Sequence, residues 1–160
     1  MCSLAACYRS REMSKFLTEL EIKCSQENEN YWILEAPLIY QSDIVEENMG
    51  EITIPAGFCC DLASTRHLPM VSFIWGSTAH REGILHDYLF RIDSKPVVSF
   101  SLANSVFLEA MDARGKGFFV RWPLFWGVWL GGYWSYHKKT VDWKPGDDPP
   151  VCNNTMVVQP

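Results

Sequence analysis

Several motifs that mark common enzyme and binding families are absent from this 160-residue chain. No C-x-x-C pair and no Cys/His set with zinc-finger spacing occurs, which excludes the usual structural zinc sites. No P-loop, G-x-G-x-x-G or H-E-x-x-H motif is present, which excludes the nucleotide and zinc-protease sites that these patterns build. A G-x-S-x-G nucleophile elbow is missing as well, so an α/β-hydrolase serine is not expected.

Excess positive charge is also lacking, since 19 acidic residues outnumber 14 basic ones and the net charge is −5. A protein that grips nucleic acid through its phosphates needs the opposite balance, so we expect no nucleic-acid partner. The six cysteines show no paired spacing, which favours reduced thiols in a cytosolic compartment. The apolar patch within residues 1–12 has no basic stretch before it and is too short for a signal peptide.

The chain also lacks a long uninterrupted apolar segment. The most apolar stretch, residues 117–134, contains four tryptophans but is interrupted by Arg121, Pro123 and several glycines. A membrane-spanning helix needs about 20 predominantly apolar residues, so this stretch predicts a buried helix instead. Because tryptophan and tyrosine favour bilayer interfaces, peripheral membrane contact is the alternative.

Three stretches in the first part of the chain have the composition of β-strands. Residues 16–24 alternate weakly, and residues 31–40 are rich in aromatic and branched side chains but broken by a proline. Residues 51–55 place Ile52 and Ile54 on one face of a short strand. Since polar turns separate the three stretches, we expect them to form one small antiparallel sheet.

Helical spacing follows in the second part of the chain. From about Ala79 the apolar residues recur at three- and four-residue spacing, which is typical of a helix. Residues 102–114 predict a second helix, with Ser99 or Ser101 as its N-cap. Residues 123–134 predict a third, because proline is favoured in a first turn.

These elements predict the α+β fold class, with a small N-terminal antiparallel β-sheet followed by about three packed helices. Hydrophobic residues make up 48% of the chain, which is enough for a packed core. We expect one α+β domain over residues 13–137. An N-terminal extension, residues 1–12, would precede it, and an extended C-terminal tail, residues 138–160, would follow.

The pair His86-Asp87 lies within the first predicted helix and carries the main functional hypothesis. Consecutive helix residues point about 100° apart, so the two side chains can play separate parts. A histidine suits removal of a proton from water, and an adjacent carboxylate offers an oxygen ligand to calcium or magnesium. A histidine and an aspartate that only cap or salt-bridge neighbouring residues are the commoner alternative.

A second group of candidate residues, Gly57, Phe58, Asp61 and Ser64, follows the last predicted strand. A glycine there allows a sharp turn or a close approach of the backbone to a ligand. Asp61 and Ser64 either cap the turn through backbone amides or belong to the site. In the second case Asp61 is a metal ligand or the residue that orients His86.

Three ordered blocks of the chain read I-T-I-P-A-G-F-C-C-D-L-A-S, H-D-Y-L-F and A-N-S-V-F-L-E-A-M. They resemble domain-of-unknown-function family 1353 of tailed phages and prophages, whose pattern is roughly V-P-x-G-F-x-T-D-x-A-S-x-P-R, H-D-x-L-Y and A-D-x-x-F-x-x-A-M. The resemblance spans about residues 13–134. The chain departs from the pattern at three points: Cys60 replaces a threonine, Arg66-His67 replaces Pro-Arg, and Asn104 replaces an aspartate.

The same helix pair is distantly similar to that of the phospholipases A2, including the viral capsid type. This resemblance implies that His86 activates water, that Asp87 binds a divalent cation, most naturally calcium, and that Asn104 replaces the aspartate that orients the histidine. An asparagine hydrogen-bonds an imidazole but brings no charge to stabilise an imidazolium. The glycine-rich calcium loop of those enzymes is missing, so residues 57–64 would have to replace it.

Candidate residues therefore fall into three groups. The catalytic candidates are His86, Asp87, Asp61 and Asn104. The metal-ligand candidates are Asp87 and Asp61. The candidates for substrate binding are Gly57, Phe58, Ser64, Arg66 and Tyr88.

Two classes of function remain open from the sequence. The first is a phage-type hydrolase with a His-Asp centre, phospholipase-A2-like and metal-assisted, acting on an ester or phosphodiester of a small molecule or lipid. The second is a non-enzymatic phage accessory or virion-associated protein, or a counter-defence protein that binds a small molecule or a host partner. Both place the protein in the host cytoplasm or with the virion, where phage or host proteins are potential partners. An open pocket in which His86, Asp87 and Asp61 converge would favour the first class. A His86 that is fully buried and saturated with backbone partners would favour the second.

Overall fold

The computed structural model describes residues 14–24, 32–60, 79–133 and 136. Up to residue 60, the described part contains six short strands in two antiparallel sheets. Sheet A contains, in spatial order, β1 (Lys15–Phe16), β4 (Leu38–Gln41) and β5 (Glu51–Ile54). Sheet B contains, in spatial order, β2 (Ile22–Cys24), β3 (Trp32–Leu34) and β6 (Cys59–Cys60).

Two of the predicted strands are each divided between the two sheets, so the prediction of continuous strands there is wrong. Residues 16–24 supply β1 and β2, and residues 31–40 supply β3 and β4. Pro37 lies at the second division, where a residue without an N–H cannot continue a strand ladder. Thr18, at the first division, donates its hydroxyl to the Pro37 carbonyl (3.0 Å) and accepts from the Ile39 amide (2.9 Å). These hydrogen bonds join the two bends.

The prediction for β5 is confirmed. Its side chains alternate between exposed and buried, and Ile52 and Ile54 are both fully buried. They lie opposite Tyr40 and Leu38 of β4, which are buried as well. The inner face of sheet A is therefore apolar, and it contributes to the main core together with side chains of the first two helices.

Three helices follow: α1 (His80–Leu89), α2 (Phe100–Ala113) and α3 (Phe118–Gly132). The α+β fold class is confirmed, with two small sheets in place of one. Of the two residues predicted as the N-cap of α2, the structure has Ser99. Its hydroxyl accepts a hydrogen bond from the Leu102 amide at 3.2 Å. No described helix is long and apolar enough to cross a membrane.

The predicted start of α3 is wrong, because the helix begins five residues before Pro123. Gly117, in an extended conformation, is the N-cap, and Pro123 lies inside the helix. A proline there cannot donate the helical hydrogen bond to the Phe119 carbonyl. Burial of the inner face against α2 offsets this loss: Leu124 is 1% exposed and packs with Phe107 and Met111.

Candidate functional site

His86 lies on the side of α1 that faces α2. The same side of α1 carries Glu82 and Phe90, one turn away in each direction. The imidazole is 5% exposed, and its ring centre lies 3.9 Å from that of Phe90 and 5.0 Å from that of Phe107 on α2. His86 is thus held between two aromatic rings at the interface of the two helices.

Asn104 of α2 determines which nitrogen of His86 carries the proton. Its side chain is fully buried, and its amide nitrogen donates to the Phe100 carbonyl at 2.7 Å. The amide oxygen, which only accepts, lies 3.2 Å from His86 Nε2. Nε2 must therefore be the protonated nitrogen, and in the neutral ring Nδ1 keeps its lone pair.

Asp87 lies next to that lone pair. Its Oδ1 is 4.0 Å from His86 Nδ1, and its side chain is 40% exposed. This separation is too long for a direct hydrogen bond, but it leaves a negative charge within Coulomb reach of an imidazolium. The basic nitrogen of His86 thus lies beside a carboxylate that reaches solvent.

The protonation state of His86 follows from its burial. Desolvation lowers the pKa of His86 from 6.5 to about 4, and the hydrogen bond with Asn104 offsets only part of that effect. The histidine is therefore neutral at pH 7. A neutral Asn104 cannot raise this pKa by charge as an aspartate would.

The loop that was predicted after β5 contacts α1 through Phe58, which follows a turn at Gly57. Gly57 has a φ of +82°, and its amide donates to the Leu34 carbonyl at 2.6 Å, so it forms the turn between β5 and β6. Phe58 is buried and packs edge-on against Tyr88 of α1, with ring centres 5.6 Å apart. The remaining predicted loop residues, Asp61, Ser64 and Arg66, lie outside the described residues.

Metal binding by the predicted ligands rests on Asp87 alone within the described part of the chain. No group of three or more His, Cys, Asp or Glu side chains suited to a metal occurs among the described residues, and Asp61 is not one of them. Calcium takes six to eight oxygen ligands, so Asp87 by itself does not make a calcium site.

The two cysteines of β6 differ in state, and only one of them departs from the expectation of reduced thiols. Cys59, on β6, is disulfide-bonded, so the expectation of reduced thiols is wrong at this position. Cys60, its neighbour, is 4% exposed and packs in the main core.

A surface cavity of about 720 Å³ lies on another side of α1. The described residues in its wall are Asn48, Met49, Glu51, Thr53, Pro55, Tyr88 and Lys95. Tyr88 is the predicted binding residue among them: its hydroxyl accepts from the Lys95 amide at 3.0 Å, and burial raises its pKa. His86 is not among these wall residues, so the imidazole and the cavity are separate features.

The wall of this cavity includes a turn with an uncommon backbone. Asn48, Met49 and Gly50 have φ values of +50°, +58° and +86°, a conformation that costs free energy in residues other than glycine. A Cβ on Gly50 would lie 2.2 Å from the Ser42 carbonyl oxygen, so the position requires glycine. The Gln41 side chain donates to the Met49 carbonyl at 2.8 Å and holds the turn in place.

Glu109 of α2 accepts several hydrogen bonds from the strand region, and the sequence analysis did not single it out. Its carboxylate accepts from the Ser14, Tyr40 and Ser42 hydroxyls and from the Asp43 amide, at 2.7–3.1 Å. The available signal was a single carboxylate between apolar residues in the block A-N-S-V-F-L-E-A-M. We interpret Glu109 as the anchor that joins α2 to sheet A.

Comparison with known protein families gives a match to this chain. A protein-family model described as "Protein of unknown function (DUF1353)" matches residues 32–128. No curated protein and no solved structure matches the chain. The matched span includes the β5–β6 turn, the His86-Asn104 pair and most of α3.

Proposed function

We propose that this chain, which belongs to the DUF1353 family, is a hydrolase in which His86 Nδ1 takes a proton from water. The hydrogen bond between His86 Nε2 and the Asn104 amide oxygen carries the proposal. It selects the tautomer with a basic Nδ1, and it orients that nitrogen beside the partly exposed Asp87. A base held in this way by a second residue is the usual arrangement in general-base catalysis.

In the proposed reaction, water gives a proton to His86 Nδ1 while its oxygen attacks an ester carbonyl carbon or a phosphodiester phosphorus. In the imidazolium, the proton on Nε2 stays hydrogen-bonded to the Asn104 amide oxygen. The proton on Nδ1 later passes to the leaving oxygen. Since Asn104 is neutral, the negative charge that stabilises the imidazolium comes from Asp87, 4.0 Å from Nδ1. His86 and Asp87 are the catalytic residues, and Asn104 is a positioning residue.

The substrate in this proposal is an ester or phosphodiester of a small molecule or lipid. A divalent cation, calcium above all, fits the proposal if Asp61 joins Asp87 as a ligand. It would supply positive charge for the developing oxyanion. The resemblance to phospholipases A2 supports this assignment by analogy only.

The most discriminating variant is Asn104→Asp. An aspartate in the same place would add a charge next to Nε2, raise the pKa of His86 and stabilise the imidazolium, so we expect the hydrolysis rate at pH 7 to rise at least about tenfold. His86→Gln keeps a donor for Asn104 but removes the base, and should lower the rate by about 10²–10⁴. Turnover of chromogenic esters, bis-nitrophenyl phosphate and phospholipid micelles would be measured with calcium and with chelator.

His80→Gln is the matched control, because it changes another histidine on the same helix and should leave the rate unchanged. The proposal is wrong if neither the native chain nor Asn104→Asp turns over any of these substrates. It is also wrong if His86→Gln retains the full native rate. A rate unaffected by chelation, but still dependent on His86, would remove only the calcium assignment.

The burial of His86 favours a second candidate function. A 5%-exposed, neutral imidazole between two phenylalanines also suits a structural brace between α1 and α2, in a non-enzymatic phage accessory, virion-associated or counter-defence protein. The cavity at Tyr88 would then bind a small molecule or a host or phage partner. Under this alternative, Asn104→Asp destabilises the fold without producing turnover.

A further inference from the structure

The surface cavity beside Tyr88, which we call the Tyr88 cavity, has a carboxylate and an ammonium group in the same wall. Glu51 lies on β5, and Lys95 lies in the loop between α1 and α2. Among the described residues neither forms a salt bridge, with the other or with a third residue. The Glu51 carboxylate accepts a long hydrogen bond from the nearby Thr53 hydroxyl, at 3.4 Å. Both charges therefore remain available to a molecule that enters the cavity.

The alternation of β5 places Glu51 in this wall. Successive side chains of a strand point to opposite faces, and Ile52 and Ile54 are fully buried in the main core. Glu51 and Thr53 are consequently exposed on the other face, and both line the Tyr88 cavity. The same pattern that builds the core thus directs a carboxylate and a hydroxyl to the cavity.

The Tyr88 cavity has the size and the mixed wall of a small-molecule site. Its volume is about 720 Å³, and sites for small organic molecules typically measure about 300–1,000 Å³. Met49, Pro55 and Tyr88 supply apolar surface, and Asn48 supplies an amide. A few polar groups set in apolar surface are typical of sites that bind and orient an organic molecule. The wall therefore suits a ligand that has an apolar body as well as charged groups.

The loop that carries Lys95 is held in place by its neighbours. The Lys95 amide donates to the buried Tyr88 hydroxyl at 3.0 Å. Earlier in the same loop, the Arg91 guanidinium donates twice to the buried Asp93 carboxylate, at 2.8 and 2.7 Å. The turn in the same wall is held by Gln41. A wall that is already ordered lowers the entropic cost of binding a ligand.

We propose that the Tyr88 cavity binds a small zwitterion of the amino-acid type, either a free amino acid or a short peptide with an apolar side chain. Lys95 binds its carboxylate, and Glu51 binds its ammonium group. Its side chain packs against Met49 and Pro55. Because His86 is not among the described wall residues, this inference does not depend on the reaction proposed for the imidazole.

A ligand with a single charge fits this wall less well. A carboxylate without an amine would gain the attraction of Lys95 but would also meet the negative charge of Glu51. An amine without a carboxylate would meet the opposite difficulty at Lys95. Since unlike charges favour binding and like charges oppose it, the wall selects a ligand that carries both.

The test is calorimetric titration of the full chain with phenylalanine and with the dipeptide phenylalanyl-leucine, which distinguishes the two sources of the same chemistry. We expect at least one of them to bind with a dissociation constant of about 1 mM or below. The N-acetylated and the C-amidated forms of the better ligand each lack one charge. Each should bind at least about tenfold more weakly, because one charged hydrogen bond is lost.

Two variants assign each charge of the ligand to its residue. Glu51→Gln should weaken binding of the zwitterion at least about tenfold, yet leave binding of the N-acetylated form, which has no ammonium group, unchanged. Lys95→Gln should do the same for the zwitterion and the C-amidated form. Glu46→Gln and Lys15→Gln are the matched controls, since both residues are exposed and neither is among the described wall residues.

Circular dichroism would establish that the variants are folded, as expected for replacements of exposed side chains. The proposal is overturned if the native chain binds neither phenylalanine nor the dipeptide at concentrations up to about 10 mM. It is also overturned if Glu51→Gln and Lys95→Gln bind as the native chain does, or if the control variants weaken binding equally.

Discussion

At the scale of single residues, His86 is a buried imidazole whose two nitrogens have different partners. Nε2 donates to Asn104 inside the protein, while Nδ1 lies beside the exposed side of Asp87. Burial keeps the ring neutral at pH 7 because it lowers the pKa to about 4. The same burial makes the stability of the fold sensitive to acid.

We expect His86 to lower the stability of the fold as the pH falls from about 6.5 to about 4. Its folded pKa lies below its unfolded value of 6.5, so the unfolded chain binds the proton more readily in that window. The stabilisation is complete above pH 6.5 and is lost at about 1.4 kcal/mol per pH unit, or about 3 kcal/mol in all. Urea denaturation across this pH range measures it.

His86→Gln is the reference for that measurement, since its side chain does not titrate and still donates to Asn104. The two proteins differ in no other titratable group, so the difference between the two curves isolates the histidine. Parallel curves for the native chain and His86→Gln between pH 4 and 6.5 would contradict the buried, neutral histidine.

At the scale of secondary-structure elements, Glu109 holds α2 against sheet A. One carboxylate oxygen accepts from the Ser14 hydroxyl and the Asp43 amide, and the other from the Tyr40 and Ser42 hydroxyls. Burial, together with the neighbouring Glu109 charge, raises the pKa of Tyr40. Four donors on one carboxylate tie β4 and the start of β1 to the helix that carries Asn104.

Glu109→Gln should lower the free energy of unfolding by about 2 kcal/mol. The change removes the charge from four hydrogen bonds and turns one acceptor oxygen into a donor, and each charge-assisted bond is worth about 1.5–3 kcal/mol. Glu46→Gln, at an exposed glutamate, is the matched control and should change stability by less than about 0.5 kcal/mol. Equal effects of the two substitutions in chemical denaturation would rule out the anchoring role.

At the scale of the whole molecule, the two ends of the described fold are both attached to its helices. Ser14, at the start, donates to Glu109 at 2.8 Å. Tyr136, at the end, donates its hydroxyl to the Val98 carbonyl at 2.5 Å and packs edge-on against Phe90 and Phe100. These contacts support a folding unit that includes both residues, while the domain over residues 13–137 stays a prediction.

We expect a chain of residues 13–137 to unfold at the same midpoint as the full chain in reducing buffer, where the disulfide at Cys59 contributes to neither. A chain of residues 13–133 lacks Tyr136, its hydrogen bond and its two ring contacts, and should lose about 2–4 kcal/mol. Thermal and urea unfolding of the three chains measure this. A shorter chain as stable as residues 13–137 would move the domain boundary inward.

The sequence by itself determined what depends on near neighbours in the chain. The alternation of Ile52 and Ile54, the helical spacing after Ala79 and the Ser99 cap all follow from contacts within a few residues, where backbone geometry sets the period. The motif order also sufficed to identify the family. Local preference misled where packing outweighed it, as at Pro123, which lies inside a helix that packs against α2.

Only the tertiary structure decided which distant residues meet. The division of the strands between two sheets and the four partners of Glu109, up to 95 residues away, depend on how the chain folds back on itself. The same holds for α3: composition marks residues 117–134 as apolar, but only packing against α2 determines which of its side chains are buried and which stay exposed. The spacing of apolar residues in the sequence specifies which face of a helix is apolar. Which element packs against that face depends on the whole fold.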